Sequence, residues 1–553
     1  MELENKSPKE LYEQKLPLEV ENFGIANAKV IFAILTFSFK EIIGDVLGDL
    51  YQKYFDAEVR KALGEFYTPL EVVEYILDNI GYIHNITNKR LLDPSCGSGT
   101  FLVESLKRYI ADVEPYANKN GWAYTLDELC NKPKIIGFDI NPFACLIAQI
   151  RFMIELIPYY KKAITEETIK PFTLKRLPIF RTDSLIDERK ISNQQSLSII
   201  AKNGKLVIKL PIPSPTLSEE FIIKIEMPLW ETVRANTDIL NYDEYFSALQ
   251  AIFDVVKKSA RLELYELHKE DLKNSLKEYL GTFDDIALIN LVDFFFDYAK
   301  EILKTLKDLK YKFGDGRLIK SIEDVIIASI LKNYITYDFV VGNPPYVRIE
   351  RLSENQREYY RKIYVSASGR FDLYSLFIER GMDWLKEDGK IGVITSNKFI
   401  KRGYGKALRK LILQECKIEQ YVDLTPAKIF MDATNDPCIL VMKKGLKGGS
   451  HLKFVKVKKE KDNLLDHIKQ HITDKEYSDE YIDLFEGNQS LLDANPWKIV
   501  STSENTLLNK IKENANYLLE DVCENISEGI TPSRNDIFII SEDKKRVHNF
   551  ESE

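Results

Sequence analysis

The period of the hydrophobic positions changes along the chain, and the changes mark its organisation. Over 29–55, Ile31, Ile34, Phe37, Ile42, Ile43, Val46, Leu50 and Tyr54 recur at helical spacing, which predicts a helical N-terminal segment over 1–60. From Lys89 the pattern shortens. Arg90-Leu-Leu-Asp-Pro is a brief apolar run ending in a turn, and 100–111 has the helical period. Lys134-Ile-Ile-Gly-Phe-Asp is a second short run, and 142–156 a second helix. Strand, turn, helix, strand is the sign of a parallel sheet crossed by helices. The pattern resumes at Tyr337-Asp-Phe-Val-Val-Gly. Further strands follow at Lys390-Ile-Gly-Val-Ile-Thr, Gln420-Tyr-Val-Asp-Leu and Cys438-Ile-Leu-Val-Met, with helices at 373–384 and 406–414. This predicts one α/β domain over 61–185 and 335–445. A largely helical insertion, 186–334, interrupts it. The stretch 446–518 reads as a linker region, with an edge-like strand at His451-Leu-Lys-Phe-Val-Lys-Val and a helix at 505–519. Residues 519–553 begin a further unit.

The 553 residues exceed the roughly 250–300 that one core usually supports, in keeping with several units. Hydrophobic residues at 44% and charged residues at 29% exclude a disordered or fibrous chain. The best apolar stretch, 30–39, contains Thr36 and Ser38 and falls short of the ~18 residues of a membrane span. The start, Met1-Glu-Leu-Glu-Asn-Lys, lacks the basic-then-apolar order of a signal peptide. A cytoplasmic protein with no membrane partner is expected. Six scattered cysteines without a C-x-x-C pair predict neither a disulfide framework nor a structural metal.

Three motifs carry chemistry. In Leu91-Leu-Asp-Pro-Ser-Cys-Gly-Ser-Gly-Thr-Phe-Leu, a strand ends at Asp93 and a glycine turn opens a helix. Glycines allow positive φ and close approach of a ligand. A dinucleotide site wants a third glycine where Leu102 stands, and an acid before the turn suits a cation better than a pyrophosphate. S-adenosylmethionine has an amino group and a sulfonium, which Asp93 could hold. A plain tight turn between strand and helix is the competing reading. In Ile135-Ile-Gly-Phe-Asp-Ile-Asn-Pro, Asp139 ends the second strand, where nucleoside-cofactor folds hold a ribose. Either Asp139 or Asn141 could instead cap the helix from Pro142, and Asn141 is the better cap. In Asp338-Phe-Val-Val-Gly-Asn-Pro-Pro-Tyr, a buried strand runs into Asn343, Pro344, Pro345 and Tyr346. The prolines stiffen the turn and remove two N–H donors. The Asn343 side-chain oxygen, the Pro344 carbonyl and the Tyr346 ring suit a planar group bearing an NH2.

In this order the motifs resemble the γ-class S-adenosylmethionine-dependent adenine-N6 DNA methyltransferases. The match is strongest to the modification part of single-chain restriction–modification enzymes. Gly64-Glu-Phe-Tyr-Thr-Pro is similar to that family's upstream cofactor motif, and Phe180-Arg-Thr-Asp-Ser-Leu to its third. Gly369-Arg-Phe-Asp-Leu-Tyr-Ser-Leu-Phe resembles the segment lining the cofactor pocket, and Lys428-Ile-Phe-Met-Asp-Ala-Thr the late motif with a base-packing aromatic. The resemblance implies a Rossmann-like methyltransferase domain with a mixed, mostly parallel sheet. It implies cofactor contacts at Tyr67, Thr68, Asp93, Ser95, Gly97, Gly99, Thr100, Phe101, Asp139, Ile140, Asp183 and Ser184. Asn343, Pro344, Pro345 and Tyr346 would carry the chemistry, and Tyr346 and Phe430 would stack on a flipped adenine. Ile526-Ser-Glu-Gly-Ile-Thr-Pro resembles the opening of a target-recognition domain. Nothing before residue 60 resembles a nuclease site, so cleavage would need another chain, a nuclease or specificity subunit.

The net charge of −8 speaks mildly against nucleic acid. Its distribution does not: from Lys332 to Lys417 there are 17 Lys/Arg against 10 Asp/Glu. Within that stretch Arg348, Arg351, Arg357, Lys398, Lys401 and Arg402 are the expected contacts to the backbone of double-stranded DNA. An N-P-P-Y enzyme acting on RNA or a protein glutamine amide, or a non-catalytic DNA-binding defence subunit, are the alternatives.

Overall fold

The computed structural model describes residues 67–165, 174, 176–187, 198–202, 204–212, 221–228, 230–261, 266–313, 318–427, 429, 436–446 and 451–497, with a few positions between 506 and 514. The helical segment expected over 1–60, the unit begun at 519–553 and Phe430 lie outside the described residues.

A ten-stranded sheet organises the chain. Its strands are β1 (Leu91–Asp93), β2 (Ile135–Asp139), β3 (Ile179–Arg181), β7 (Tyr337–Gly342), β8 (Leu385–Ser396), β9 (Cys416–Asp423), β10 (Pro437–Lys444), β11 (His451–Val457), β12 (Glu476–Ser478) and β13 (Ile482–Asn488). The order is β3-β2-β1-β7-β8-β10-β9-β11-β13-β12. Strands β3, β2, β1, β7 and β8 run parallel, and β10 runs against both β8 and β9. Helices crossing between the parallel strands include α2 (Thr100–Asn120) and α3 (Pro142–Thr165). Because β1 connects to β2 on one side and pairs with β7 on the other, the strand order reverses there. That reversal opens a crevice at the carboxyl ends of the strands.

Helix α1 (Leu70–Ile80) buries Val72, Val73, Ile76, Leu77 and Ile80 on one face of this sheet and stops at Gly81 in the left-handed conformation. Helix α3 is, by length and composition alone, apolar enough to cross a membrane, as a core helix can be. Its Ala148, Phe152 and Leu156 pack in the core with α1.

The insertion is largely helical, and it also holds strands that the sequence reading did not mark. Its first part is a three-stranded antiparallel sheet, β4 (Ser198–Lys202), β5 (Lys205–Ile212) and β6 (Phe221–Pro228). Its later part is helical as predicted, with α4 (Tyr242–Arg261), α5 (Lys269–Tyr279), α6 (Asp285–Phe313) and α7 (Leu318–Asn333). Phe246, Leu249, Ile252, Ile327 and Leu331 share one core with Leu92, Ile136, Phe138 and Phe180 of the large sheet. The insertion is therefore continuous with the large sheet's core. Beyond residue 445 the reading as linker is also corrected. There β11 pairs in parallel with β9, and β13 and β12 continue the sheet. The alternation of His451-Leu-Lys-Phe-Val-Lys-Val marks an interior strand, with Leu452, Phe454, Val455 and Val457 buried.

Candidate active site

Four strand ends meet at the crevice. Strand β1 delivers Asp93, which is 1% exposed, and the chain turns through Ser95, Gly97 and Gly99 into α2. Gly99 has φ +87°, and a Cβ there would lie 2.9 Å from the Cβ of Ala148. Only glycine lets α2 begin this close to α3. At the end of β7, a Cβ on Gly342 would lie 2.9 Å from Asp93 Oδ1. The missing side chain brings the Asn343 corner against the acid. The Ser95 hydroxyl donates to the Asn343 carbonyl at 3.4 Å, and Asn343 Nδ2 donates to Thr68 Oγ1 at 3.2 Å.

These groups wall a cavity of about 310 Å³, within the range of small-molecule sites. Of the residues expected at a cofactor, Tyr67, Thr68, Asp93, Ser95, Gly97, Thr100, Phe101, Asp139, Ile140, Asp183 and Ser184 line it; Gly99, at the N-cap of α2, does not. Asn343 and Pro345 belong to the wall, whereas Pro344 and Tyr346 do not. The Tyr346 ring instead faces Tyr374 at 6.2 Å between centroids. The far wall is Val347, Leu352, Gln356, Tyr360, Leu373 and Phe377; Leu373 and Phe377 belong to the segment 369–377 expected to line the pocket, whereas sequence reasoning missed the other four. The wall comes from the chain after the Tyr346 turn, from α8 (Glu354–Ile363) and from α9 (Leu373–Trp384). Leu373 and Phe377 stand four apart on α9, a spacing that places both on one face.

The two acids differ in their surroundings. Asp139 accepts backbone N–H bonds from Gly97 at 2.9 Å and Asn141 at 2.8 Å, one on each oxygen. Asn141 caps α3, accepting from Phe143 at 3.0 Å. Asp139 is thus free of helix capping, as the sequence implied, yet it also pins the glycine turn. Asp93 accepts from the Ser95 N–H. Burial pushes its carboxyl well above the ordinary range and the nearby Asp139 adds to the effect, while the Ser95 bond opposes it. Burial likewise raises the Cys96 thiol and carries that of Cys145 to about 12, so neither is a thiolate nucleophile near neutrality. Ser184 points inward, donating to the Pro94 carbonyl at 2.6 Å.

The basic residues separate into two groups. Arg351 is exposed and lines the cavity; Arg348, Lys401 and Arg402 are exposed, and Lys398 is half-buried. Arg357 is not a surface cation of the same kind. Its guanidinium donates to the Ile349 carbonyl at 2.9 Å and the Glu350 carbonyl at 3.0 Å, holding the turn before α8. Lys332, Arg380 and Arg409 are buried, so the external excess of positive charge is smaller than the sequence count.

A mostly parallel sheet in which β10 and β13 run against the rest, a glycine turn between two acids and an Asn-Pro-Pro-Tyr corner define the Rossmann-like methyltransferase class. Within it, residues 133–430 match the Eco57I restriction-modification methylase family, and 40–176 match the N-6 DNA Methylase family. The first match spans more than half of the chain, which belongs to that family. The chain is 44% identical over 110 residues to the type II methyltransferase M.BstVI of Geobacillus stearothermophilus, covering 20% of this chain and 20% of that protein. It is 30% identical over 218 residues to the type II restriction enzyme and methyltransferase RM.Eco57I of Escherichia coli, covering 39% and 20%. It is 26% identical over 292 residues to the type II methyltransferase M.BanIII of Aneurinibacillus aneurinilyticus, covering 47% and 49%. The chain thus matches between a fifth and a half of the length of these relatives. A type I restriction-modification system methyltransferase subunit from Streptococcus thermophilus superposes with a TM-score of 0.38 at 13% identity, covering 86% of this chain and 67% of that one.

Proposed function

We propose that the chain transfers a methyl group from S-adenosylmethionine to N6 of an adenine flipped out of double-stranded DNA, as the modification activity of a restriction–modification system. The observation that carries this is the position of Asn343. It directly follows β7 in the wall of the same cavity that Asp93 and Asp139 line, tied to Thr68 and Ser95.

The donor set fits the cofactor. The cavity offers carboxyl groups, one arginine and apolar surface from Ile140, Leu352, Leu373 and Phe377, a poor set for pyrophosphate and a good one for a cationic nucleoside. Asp93 would hold the positive amino-acid end, Asp139 the ribose hydroxyls, and Asp183 the adenine amine. When bound, S-adenosylmethionine supplies an electrophilic methyl group on a sulfonium. Asn343 Oδ1 and the Pro344 carbonyl accept the two N6 hydrogens of the target, drawing that nitrogen toward a tetrahedral shape with its lone pair free. Position and fixed acceptors are the main sources of rate. The base cannot be reached inside a duplex, so it is flipped. The Tyr346 ring and Phe430 receive it, and stacking of roughly 1–3 kcal/mol per base helps offset unpairing. Arg351, Arg348, Lys401 and Arg402 face the phosphates. A nuclease or specificity function acting alongside it completes the system in the cytoplasm.

Incubation with methyl-labelled S-adenosylmethionine and unmethylated mixed-sequence duplex DNA, followed by digestion to nucleosides, tests the reading. Label in N6-methyladenine is expected. Label only in RNA or protein, or none at all, would overturn it.

A further inference from the structure

The reaction proposed above leaves the insertion without a task, yet its last helix touches the cofactor wall. Helix α7 runs beside β3, and its polar side chains grip the chain on both sides of that three-residue strand. Before β3, Arg176 is buried and ion-paired with Glu323 of α7. The second oxygen of Glu323 accepts from Lys257 of α4 at 2.9 Å. After β3, Lys332 Nζ donates to the Asp183 carbonyl at 2.9 Å and to the Thr182 hydroxyl at 3.2 Å. Glu323 and Lys332 stand roughly 13–14 Å apart along the helix axis at 1.5 Å per residue.

Lys332 is itself fixed. It is 2% exposed, and its carbonyl accepts from Trp384 Nε1 at 2.6 Å and Arg380 Nη2 at 3.2 Å. From the opposite side, Arg380 Nη1 donates to Asp187 Oδ2 at 2.9 Å. Tyr364 donates to the Leu185 carbonyl at 2.6 Å, and the Tyr359 hydroxyl accepts from the Asp187 N–H at 2.8 Å. The clamped loop presents Thr182, Asp183, Ser184 and Leu185 to the cavity.

We propose that α7 is a splint for the cofactor wall, with Lys332 the positioning residue that holds the Thr182 hydroxyl and the Asp183 backbone carbonyl, and with them the loop, in its binding conformation. The insertion thereby sets affinity for the nucleoside end of the cofactor. This rests on the S-adenosylmethionine reading. A loop already ordered pays no ordering entropy when the ligand arrives, whereas each backbone residue released must be ordered again at a cost of about tenfold in affinity. A buried ammonium has few alternative places to go, so its partners stay where it holds them.

Calorimetric titration of the full chain with S-adenosylmethionine, without DNA, tests the splint. Lys332→Met should weaken binding by about tenfold or more, since at least one backbone residue is released. Turnover at saturating cofactor should hold, so the loss falls on KM and not on kcat. Lys332→Arg, which keeps the charge and the donors, should recover most of the affinity. Hydrogen exchange at 182–187 should accelerate in Lys332→Met while exchange at 97–100 does not. If Lys332→Met does not fold, Lys332→Gln replaces it with the same expectation of weaker binding. Wild-type affinity and unchanged exchange at 182–187 would overturn the proposal. A wild-type chain that binds no S-adenosylmethionine would overturn the cofactor reading itself, before any variant is compared.

Discussion

Asp93 offers a test that reads the cofactor end without needing the DNA target. Its carboxyl is 1% exposed, and burial first, then Asp139, hold its pKa well above the usual carboxylate value against the pull of the Ser95 N–H. In the ligand-free protein the proton therefore persists to a pH at which an exposed aspartate has lost it. A ligand ammonium set against Asp93 favours the carboxylate, so binding releases a proton. At most one proton leaves per site, and the logarithm of the binding constant rises by up to about one per pH unit while Asp93 is protonated in the free form only. The stability linkage has the matching sign. A folded-state pKa above the unfolded one gives a contribution fully present below the unfolded value. It is lost as pH rises through the folded value, so ligand-free protein weakens over that window and cofactor restores it. Asp93→Asn keeps the shape and removes the titration. It forfeits a charge-assisted interaction worth about 1.5–3 kcal/mol, or about 10–100-fold in affinity, at the alkaline end and much less at the acid end. Calorimetry in buffers of different ionisation heat counts the protons. Wild-type binding with no proton release and a flat pH profile would refute the assignment of Asp93.

Asn343→Ala should lower methyl transfer by about 10²–10³-fold, the scale of a lost transition-state hydrogen-bond partner, with S-adenosylmethionine affinity near wild type; retained turnover removes Asn343 from the mechanism. Gly99→Ala forces a left-handed residue, costing roughly 1–2 kcal/mol, and drives a methyl to 2.9 Å from Ala148, which adds roughly 1–3 kcal/mol. Its thermal midpoint should fall, and an unchanged midpoint would contradict the packing of α2 on α3. Arg351→Glu should reduce the salt dependence of DNA binding by about one phosphate contact. Arg357→Glu should instead lower the thermal midpoint, because a carboxylate would face the Ile349 and Glu350 carbonyls; the reverse pattern would exchange their roles.

The strand-and-turn motifs were readable because chemistry and backbone coincide there. Asp93 and Asp139 each end a buried strand and Asn343 directly follows one, and parallel pairing brings strand ends together wherever the helices fall. The far wall was not readable in full. Val347, Leu352, Gln356 and Tyr360 reach the cavity only once the chain after Tyr346 has folded back, with the Leu373 N–H on the Val347 carbonyl at 2.8 Å. Charge counting misjudged Arg357, Lys332, Arg380 and Arg409 because a sequence does not tell a cation facing water from one satisfied by carbonyls. The β4–β6 meander pairs sequence neighbours and was simply not marked as strands, whereas β11 was read as a strand but its parallel pairing with β9 joins segments that local periodicity does not connect.

Both described margins of the large sheet end in strands of three residues, β3 and β12. One lies beneath α7. The other leaves Glu476 and Ser478 exposed and offers a recruited strand only a short, partly charged template. Long, flat, apolar rims invite edge-to-edge accretion, and stubby or covered ones deter it. A sheet this wide therefore reaches its two described rims without a ready seam for fibre growth.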